Sequence, residues 1–518
     1  MADLAEILAY HYGQALELAR AAGAKDQRSA LEARAVRFLV LAGERALHLD
    51  MSKAGACFRA ALDLLPPGAP ERDRVLVKAG YVGSNRGLQA EAQRELEEAV
   101  EGFRDRGDAR GVAEVLPVLS RVLWRRGDTS GARAAAQEAV HLLERETPSP
   151  ELVAAYNEMA RVSMLGSRPR EAVEWADKTI ELARSFGLDA QVARALDSRG
   201  PARVELGEPG GVDDLREALD LAQRLGLGYE TVLAFGNLAS VLSLTDGCGE
   251  ALSVIQEGIR FADRRGLAFM STWLRMDLSG LLYEVGEWDR ALETADEVLE
   301  WSRGRGGGQL TVVAQINKAQ VLTTRGDADQ AGHLVDDFLA TAREIADPQV
   351  LVPALLVAAS VESARGRSDI AVDLVREFAA LTTERPMWRL FDVAKAVPVL
   401  LSAGDGGAAD LLEGQEPATF RDRCSLVTAR AILAKAGDDP ETALGLFEEA
   451  EALWAKFGHV VYRAEALLGA GRCLLALARS QEAAAKLREA RDVFAGLGAG
   501  PLAADADLLL HRASGTVA

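Results

Sequence analysis

The chain has few cysteines for its length. Its 518 residues contain four, which stand far apart: Cys57, Cys248, Cys424 and Cys473. No two of them form a CxxC pair, the spacing that is typical of zinc sites, and their wide separation does not indicate a disulfide framework. We therefore expect neither a structural metal ion nor stabilising disulfides.

Long hydrophobic runs are also missing. The apolar stretches belong to helical repeat segments and are shorter than the roughly 20 residues that cross a bilayer. The N-terminal residues lack the basic start of a secretory signal and carry Asp3 and Glu6 instead. We therefore expect a cytoplasmic protein that does not engage a membrane.

Motifs for catalysis and cofactor binding are absent as well. No lysine follows a glycine, which excludes the G-x-x-x-x-G-K-[ST] phosphate loop, and neither H-E-x-x-H nor G-x-S-x-G occurs. The six histidines are scattered, and none pairs with a second one at metal-ligand spacing. We expect no enzymatic activity, no cofactor and no bound metal.

Positive charge and aromatic residues are both scarce. The formal net charge is −19, the isoelectric point is about 5.0 and aromatic residues make up 5% of the chain. Binding to nucleic acid needs a basic surface that displaces counterions, so direct nucleic-acid binding is not expected. The acidic surface is either a solvated exterior that keeps a long chain soluble or a groove for a basic partner.

What the chain does have is an internal repeat of about forty residues. A small residue is followed by alanine five positions later, in the pairs Gly87/Ala92, Gly127/Ala132, Ser167/Ala172, Asp246/Ala251, Gly286/Ala291, Gly326/Ala331, Gly366/Ala371, Gly404/Ala409, Asp438/Ala443 and Ala478/Ala483. After Gly207 the pattern degenerates, because Val212 replaces the alanine. Such a period predicts an array of units that each bury an apolar face on their neighbours.

Each period predicts two helices joined by a short turn. The segment 272–285 carries leucines at helical spacing, the chain turns at Gly286, and a second apolar stripe begins at Ala291. A further small position stands seven residues before each turn residue. It is occupied by Ala42, Gly80, Ser120, Ala160, Gly200, Ala239, Ser279, Ala319, Ala359, Val397, Ala431 and Gly471. Small side chains there let the paired helices pack at short distance.

These positions resemble the tetratricopeptide repeat. Gly280, Gly286 and Ala291 match the small residue, the glycine of the glycine-acid turn and the following alanine of this family. Gly326 and Ala331 match the turn glycine and the alanine a second time. The period departs from the usual ~34 residues and resembles the long-helix variety of this family. The resemblance covers about residues 28–498. It implies an all-α superhelix, or solenoid, of about twelve helical hairpins with terminal capping helices.

Irregular repeats indicate how the array is divided. Pro117, Pro201 and Pro398 fall inside predicted first helices, and an interior proline kinks a helix. We expect joints near residues 200–212 and 385–418, which are either functional bends or repeats whose pattern has decayed. The predicted segments are an N-terminal capping or junction helix at 1–27, repeats one to five at 28–205, repeats five to nine at 206–385, an irregular repeat or joint at 386–418, repeats eleven and twelve at 419–498, and a C-terminal capping helix with a tail at 499–518.

The opening segment carries a second resemblance. Residues 2–12, which read ADLAEILAYHY, are similar to the helix that starts the C-terminal repeat region of large bacterial signal-transduction ATPases. Those proteins include adenylate and guanylate cyclases fused to an AAA-type ATPase, and LuxR-type regulators with a long repeat sensor. The resemblance implies that this chain corresponds to their sensor region alone.

The tetratricopeptide resemblance also implies a binding groove, because the first helices of that family line the concave side of the superhelix. It places eight residues there: Tyr81, Arg121, Trp124, Arg125, Asn157, Arg161, Tyr283 and Gln320. Arginine, amide and aromatic side chains on adjacent repeats suit an extended acidic peptide. The alternative is that the arginines pair with neighbouring carboxylates and that Trp124 packs between helices.

Two functions remain open. The first is a non-enzymatic scaffold or sensor arm of a bacterial signalling or transcription-regulatory ATPase, which binds a protein or peptide segment in its concave groove. The alternative is a small-ligand sensor that controls an attached or separate ATPase or cyclase. A peptide site predicts an open groove, whereas a small-ligand site predicts an enclosed pocket with converging polar groups.

Overall fold

The computed structural model describes residues 4–47, 50–305, 308–383 and 385–515. Within these ranges the chain forms 26 α-helices and no strand, so the predicted all-α fold class is confirmed. None of the helices in these ranges is both long and apolar enough to cross a membrane. The outermost residues of the predicted terminal segments, 1–3 and 516–518, lie outside the described residues.

The helices follow one another along the whole chain. The first thirteen are α1 (Ala5–Ala21), α2 (Lys25–Ala46), α3 (Met51–Leu64), α4 (Pro70–Asn85), α5 (Gln89–Asp105), α6 (Ala109–Arg125), α7 (Thr129–Leu143), α8 (Pro150–Leu165), α9 (Pro169–Phe186), α10 (Asp189–Glu205), α11 (Gly211–Arg224), α12 (Gly228–Thr245) and α13 (Cys248–Arg264). The others are α14 (Ala268–Glu284), α15 (Trp288–Ser302), α16 (Gly308–Arg325), α17 (Ala328–Ile345), α18 (Pro348–Ala364), α19 (Ser368–Leu381), α20 (Pro386–Phe391), α21 (Val393–Ser402), α22 (Phe420–Ala436), α23 (Pro440–Phe457), α24 (Val460–Ala476), α25 (Ser480–Leu497) and α26 (Gly500–Gly515).

Successive helices pack as hairpins. Helix α2 packs on α3, α4 on α5, and so on to α18 on α19, and the hairpins α22–α23 and α24–α25 complete the array. From α4 to α18, each first helix also contacts the first helix of the next hairpin, as α6 does with α8 and α8 with α10. Helix α1 covers α2 at one end, and α26 covers α25 at the other. The predicted tetratricopeptide-type repeat architecture is confirmed.

The small residue at the hairpin turns has a conformational cause. Gly87, Gly127, Gly286 and Gly326 have φ angles of +83°, +92°, +86° and +105°, in the left-handed region that glycine enters without a steric penalty. Ser167 takes φ +51° at the equivalent place, which costs a residue with a side chain about 1–2 kcal/mol. The turn therefore selects glycine at most repeats but tolerates other small residues.

The small positions on the first helices keep each hairpin tightly packed. A Cβ atom at Gly80, Gly200 or Gly471 would lie 2.7, 2.6 or 2.5 Å from a leucine carbon of the second helix. The alanines after the turns are at most 2% exposed: Ala92, Ala132, Ala172, Ala251, Ala291, Ala331, Ala371, Ala443 and Ala483. Larger side chains at these places would overpack the helix crossing, at a cost of about 1–3 kcal/mol.

The tenth period departs from the pattern. Its first helix is divided into α20 and α21, and its second helix is replaced by a 3-10 turn at Gly406–Ala408 followed by further turns. Ala409, which the repeat pattern places early in a second helix, is therefore exposed. Pro201, in contrast, lies inside α10, which continues to Glu205. The division of the array into separate segments stays a prediction.

The superhelix is wound so tightly that its successive turns touch. The Trp124 indole donates a hydrogen bond to Asp347, and the Trp388 indole donates one to Ser167, across 223 and 221 residues of sequence. One superhelical turn therefore takes roughly five repeats. These contacts bring side chains of two superhelical turns to the same interior space.

Within the first superhelical turn, the short loops that join the two helices of a hairpin lie at these contacts. A Cβ atom at Gly87 would lie 2.7 Å from the Trp301 ring, and one at Gly127 would lie 2.7 Å from Ile345 Cγ1. Gly366 has φ +76°, yet among the described residues no heavy atom lies within 4 Å of its Cβ position. Within the described residues, no later hairpin lies against Gly366 as Ile345 lies against Gly127.

The two glycines give a matched pair of variants. Gly127→Ala and Gly366→Ala each place a side chain at positive φ, which costs about 1–2 kcal/mol. Gly127→Ala also pushes against Ile345 and should lose a further ~1–3 kcal/mol through overpacking. Urea unfolding measures both. Equal destabilisation of the two variants would show that the superhelical turns are not in contact at Gly127.

Candidate functional site

A cavity of about 220 Å³ lies inside the superhelix, where two successive superhelical turns face each other. One wall is formed by the first helices α6, α8, α10, α12 and α14. The opposite wall is formed by α16 and the start of α18. Inner side chains of seven repeats therefore meet in one space, although they are far apart in sequence.

Most of the residues predicted for the concave groove line interior space. Five of them share the cavity: Arg121, Trp124, Arg125, Asn157 and Arg161. Tyr283 and Gln320 line a second cavity, and Tyr81 on α4 lines neither of the two. Whether a partner contacts these side chains stays a prediction.

Two of the arginines are held by a buried carboxylate. Glu158 on α8 is fully buried and accepts hydrogen bonds from Arg121 Nε at 2.9 Å and from Arg161 Nε at 3.0 Å. Ser120 Oγ donates a third at 2.7 Å. Burial alone would raise the pKa of Glu158, but the two guanidinium groups outweigh burial and hold that pKa below its usual value. These two arginines therefore pair with a neighbouring carboxylate, as the alternative interpretation of the groove proposed.

Trp124 joins the two walls of the cavity. Its Nε1 donates to Oδ2 of Asp347, the residue that caps α18, at 3.0 Å. Its ring lies 5.8 Å from the Trp273 ring and 5.5 Å from the Arg161 guanidinium group. Burial raises the pKa of Asp347 to about 6, and hydrogen bonds from Gln349 and Trp124 limit the rise. The aromatic side chain thus belongs to both the cavity and the contact between superhelical turns.

Arg125 has no carboxylate partner among the described residues. Its guanidinium group donates to Ser84 Oγ at 2.6 Å and to the Tyr229 hydroxyl, and it lies 4.9 Å from the centre of the Phe269 ring. These partners are all uncharged. Burial lowers the pKa of Arg125. The Tyr229 side chain opposes this lowering, whereas the positive charge of Arg161 adds to it. The cavity therefore contains a cation whose charge is not locally neutralised.

A ladder of amides and carboxyls runs along the inner faces of the first helices, and the sequence-based interpretation recognised only its first member. Asn157, Asp197, Asn237, Asp277 and Asn317 occupy equivalent places on five successive first helices, each one repeat after the last. Asn237 Nδ2 donates to Asp197 Oδ2 at 2.9 Å, which connects two neighbouring helices. The recurrence of Asn or Asp at one repeat position is the sequence signal that could have found the ladder.

Two carboxyl groups of the ladder lack a cation. Asp197 is 9% exposed, and its Oδ1 has no hydrogen-bond partner among the described residues. Asp277 makes no hydrogen bond and no ion pair within the same ranges. Burial raises the pKa of each carboxyl group to about 7. A hydrogen bond from Asn237 opposes the rise for Asp197, whereas burial is the sole cause for Asp277. A cationic group beside either carboxyl would favour its ionised form.

A second cavity of about 200 Å³ continues from the first. The two cavities share the lining residues Ser240, Asp277, Val313 and Gln349. Asp277 therefore stands at their junction, where a group bound in either cavity can approach it.

Buried ion pairs lie at the other end of the second cavity. Lys395 pairs with Asp392 at 2.6 Å, and Arg421 pairs with Glu284 at 2.7 Å. The Tyr462 hydroxyl donates a further hydrogen bond to Asp392. These charges neutralise one another inside the fold, in contrast to those of Arg125 and Asp277 in the first cavity.

The interior is suited to binding. Across the described ranges, no group of three or more His, Cys, Asp or Glu side chains is placed to hold a metal ion. The first cavity instead presents guanidinium groups on α6 and α8, carboxyl groups on α10 and α14, and aromatic rings beside them. Such a set holds a ligand by charge-assisted hydrogen bonds and apolar contact.

Comparisons with known proteins identify relatives by fold. No family model matches the chain, and no curated protein matches it. The solved structure of a Rap protein complexed with competence and sporulation factor is 13% identical, with a TM-score of 0.49, and the match covers 69% of this chain and 98% of that one.

Two further solved structures are similar at comparably low sequence identity but lower TM-scores. The Cut9–Hcn1 hetero-tetramer of the APC/C is 16% identical, with a TM-score of 0.43, over 92% of this chain and 96% of that one. A signal-transduction ATPase with a tetratricopeptide repeat sensor from Pyrococcus horikoshii is 14% identical, with a TM-score of 0.37, over 64% and 53%. Similarities this distant concern the fold and do not identify a ligand.

The unpaired carboxyl group of Asp277 predicts a pH-dependent stability difference. Its pKa lies above the usual value of 3.8, at about 7, so the folded state keeps a proton that the unfolded state releases. Stability from this group is therefore present at low pH and is lost as the pH rises from about 4 to about 7. Asp277→Asn removes this loss of stability. The free energy of unfolding of the variant should be higher than that of wild type by ~1–3 kcal/mol at pH 8, and the difference should be smaller at pH 5.

Urea unfolding at a series of pH values measures this difference. Asp336→Asn is the matched control, because Asp336 is an exposed residue of α17 and its loss changes the net charge equally. A stability difference between Asp277→Asn and wild type that stays constant from pH 5 to pH 8 would contradict the burial of an unpaired carboxyl group.

Proposed function

We propose that the chain is a non-enzymatic sensor solenoid that binds a small ligand in the interior cavity between two superhelical turns. The composition of the cavity walls carries this proposal. Arg125 and Asp277 belong to the helices of one superhelical turn, whereas Asp347 and Gln349 belong to the next. A ligand that contacts both walls favours the tightly wound superhelix by its binding free energy.

Such binding has a route to the ends of the array. Trp124 and Asp347 already connect the two walls beside the cavity, so a ligand there would add to an existing contact. Each repeat packs on its neighbours, and a change in winding is therefore passed from hairpin to hairpin. In a cytoplasmic bacterial signalling system, this change would control an attached or separate ATPase or cyclase, the role that the sequence resemblance implies.

A protein or peptide partner is the second candidate, and a different groove favours it. An open groove of about 780 Å³ between α2 and α4 has a mixed-charge lining, with Arg37, Arg74, Lys78 and Arg106 beside Glu44, Glu71 and Asp108. Lys78 pairs with Glu44, but Arg37 and Arg74 are exposed and form no ion pair within the described ranges. An acidic segment of a partner would complement these two arginines.

Filling the cavity separates the two candidates. Ser240 is exposed to the interior and lines both cavities, so Ser240→Phe should occupy the ligand space without breaking a side-chain contact. The experiment is a thermal-shift screen of wild type and variant with neutral, anionic, cationic and zwitterionic metabolites and short peptides. A true ligand at 100 times its Kd stabilises wild type by about 2.7 kcal/mol and should lose this effect in the variant.

Ser185→Phe serves as the matched control, because Ser185 lies exposed at the end of α9, outside the lining of either cavity. It should respond to ligands as wild type does. The proposal is overturned if no compound stabilises wild type, or if every stabilising compound acts equally on Ser240→Phe. Stabilisation that survives in Ser240→Phe would point to the open groove of α2 and α4.

A further inference from the structure

We infer that the interior cavity binds a zwitterion with an apolar middle, supplied either as a free amino acid or as a short peptide. This inference rests on the proposed function and adds the chemical class of the ligand. It follows from one guanidinium group and two carboxyl groups that line the same cavity and form no ion pair within the described residues.

The cationic part of the cavity is formed by α6 and α8. Arg121, Arg125 and Arg161 line it, and Glu158 accepts hydrogen bonds from only two of them. Arg125 has hydroxyl and aromatic neighbours but no carboxylate within the described ranges. A carboxylate is the group that suits it, because the planar guanidinium fork pairs with carboxylates through parallel hydrogen bonds.

The anionic part is formed by the ladder on α10 and α14. Asp197 keeps one carboxyl oxygen without a hydrogen bond in the described ranges, and Asp277 has no polar partner there. Both side chains line the cavity that contains Arg125, and Asp277 also lines its continuation. An ammonium group supplies the three donors that these oxygen atoms lack.

Apolar side chains lie along the same cavity. Trp124, Phe269, Met270, Trp273 and Leu274 contribute to its lining. Aromatic rings and methionine pack well against hydrocarbon and aromatic groups of different shapes. The middle of the ligand is therefore apolar, as in the amino acids with large aliphatic or aromatic side chains.

Ligands of a single charge fit less well. A simple anion would neutralise Arg125 but would add repulsion to the carboxyl groups of Asp197 and Asp277. A simple cation would do the reverse and leave Arg125 without a counter-charge. A zwitterion offers a counter-charge to the Arg125 guanidinium group and to an ionised carboxyl group of the ladder with one molecule.

Isothermal titration calorimetry with matched probes tests the class directly. The probes are L-phenylalanine, L-leucine and the dipeptide leucyl-phenylalanine, each also as its N-acetyl derivative, which lacks the ammonium group, and as its C-terminal amide, which lacks the carboxylate. We expect at least one free zwitterion to bind and both of its blocked forms to bind about 10- to 100-fold more weakly. The comparison of amino acid with dipeptide identifies the source of the zwitterion.

Two variants assign the ammonium site. Asp277→Asn keeps the shape of the side chain and should weaken binding of the free zwitterion by about 10-fold or more, and Asp197→Asn should weaken it in the same direction. Asp336→Asn, the exposed control on α17, should bind as wild type does. Circular dichroism verifies that each variant is folded.

Three results would overturn the inference: none of the free zwitterions binds, a blocked derivative binds as tightly as its parent, or both aspartate variants retain wild-type affinity. The proposed function is judged separately by the Ser240→Phe screen. If that screen yields a ligand of another charge type in the cavity, the sensor function stands and the zwitterion inference is wrong.

Discussion

The contact between a left-handed hairpin turn and the next superhelical turn governs the arrangement of the molecule. Gly87, Gly127, Gly286 and Gly326 have positive φ angles, and a Cβ atom at each would meet a side chain about five repeats farther along. Those partners are Trp301, Ile345, Leu497 and Pro501. Glycine thus serves two purposes at one position, since it permits the left-handed turn and lets the next superhelical turn approach the backbone closely.

This close winding places charged groups inside the molecule. In an open solenoid, the concave surfaces of the first helices would face water, and Arg125 or Asp277 would be solvated there. With two superhelical turns in contact, both side chains line an interior cavity, where burial lowers the pKa of Arg125 and raises that of Asp277 to about 7. Other charges in the interior, such as those of Glu158 and Arg161, pair directly.

The repeat pattern predicted the architecture because its cause is local. A turn that needs positive φ and a helix crossing that needs a small side chain leave a mark at the same place in most repeats, as Gly286 and Ala291 do. The contact of Trp124 with Asp347 leaves no such mark, because it joins residues 223 positions apart. The sequence therefore predicted five side chains that share the cavity but could not indicate which superhelical turn forms the opposite wall.

The ladder from Asn157 to Asn317 could be recognised in the sequence, but its surroundings could not. Its spacing is as regular as that of the turns and was accessible from the sequence, but polar residues on first helices are common on solvated concave surfaces. Only the closed winding shows that Asp197 and Asp277 lie in a cavity with Arg125. The chemical character of the site therefore depends on the contact between superhelical turns.

An engineered disulfide between two superhelical turns tests this contact most directly. The Cβ position of Gly207 lies 3.9 Å from Ala418 Cβ, which is within the range that disulfides span. In a chain with the native Cys57 replaced by serine, Gly207→Cys with Ala418→Cys should form an intramolecular disulfide on mild oxidation, detected by peptide mapping. Gly366→Cys with Ala418→Cys should not. A Gly207–Ala418 cysteine pair that remains reduced under these conditions would show that the superhelical turns do not meet in solution and that the two walls of the cavity do not face each other.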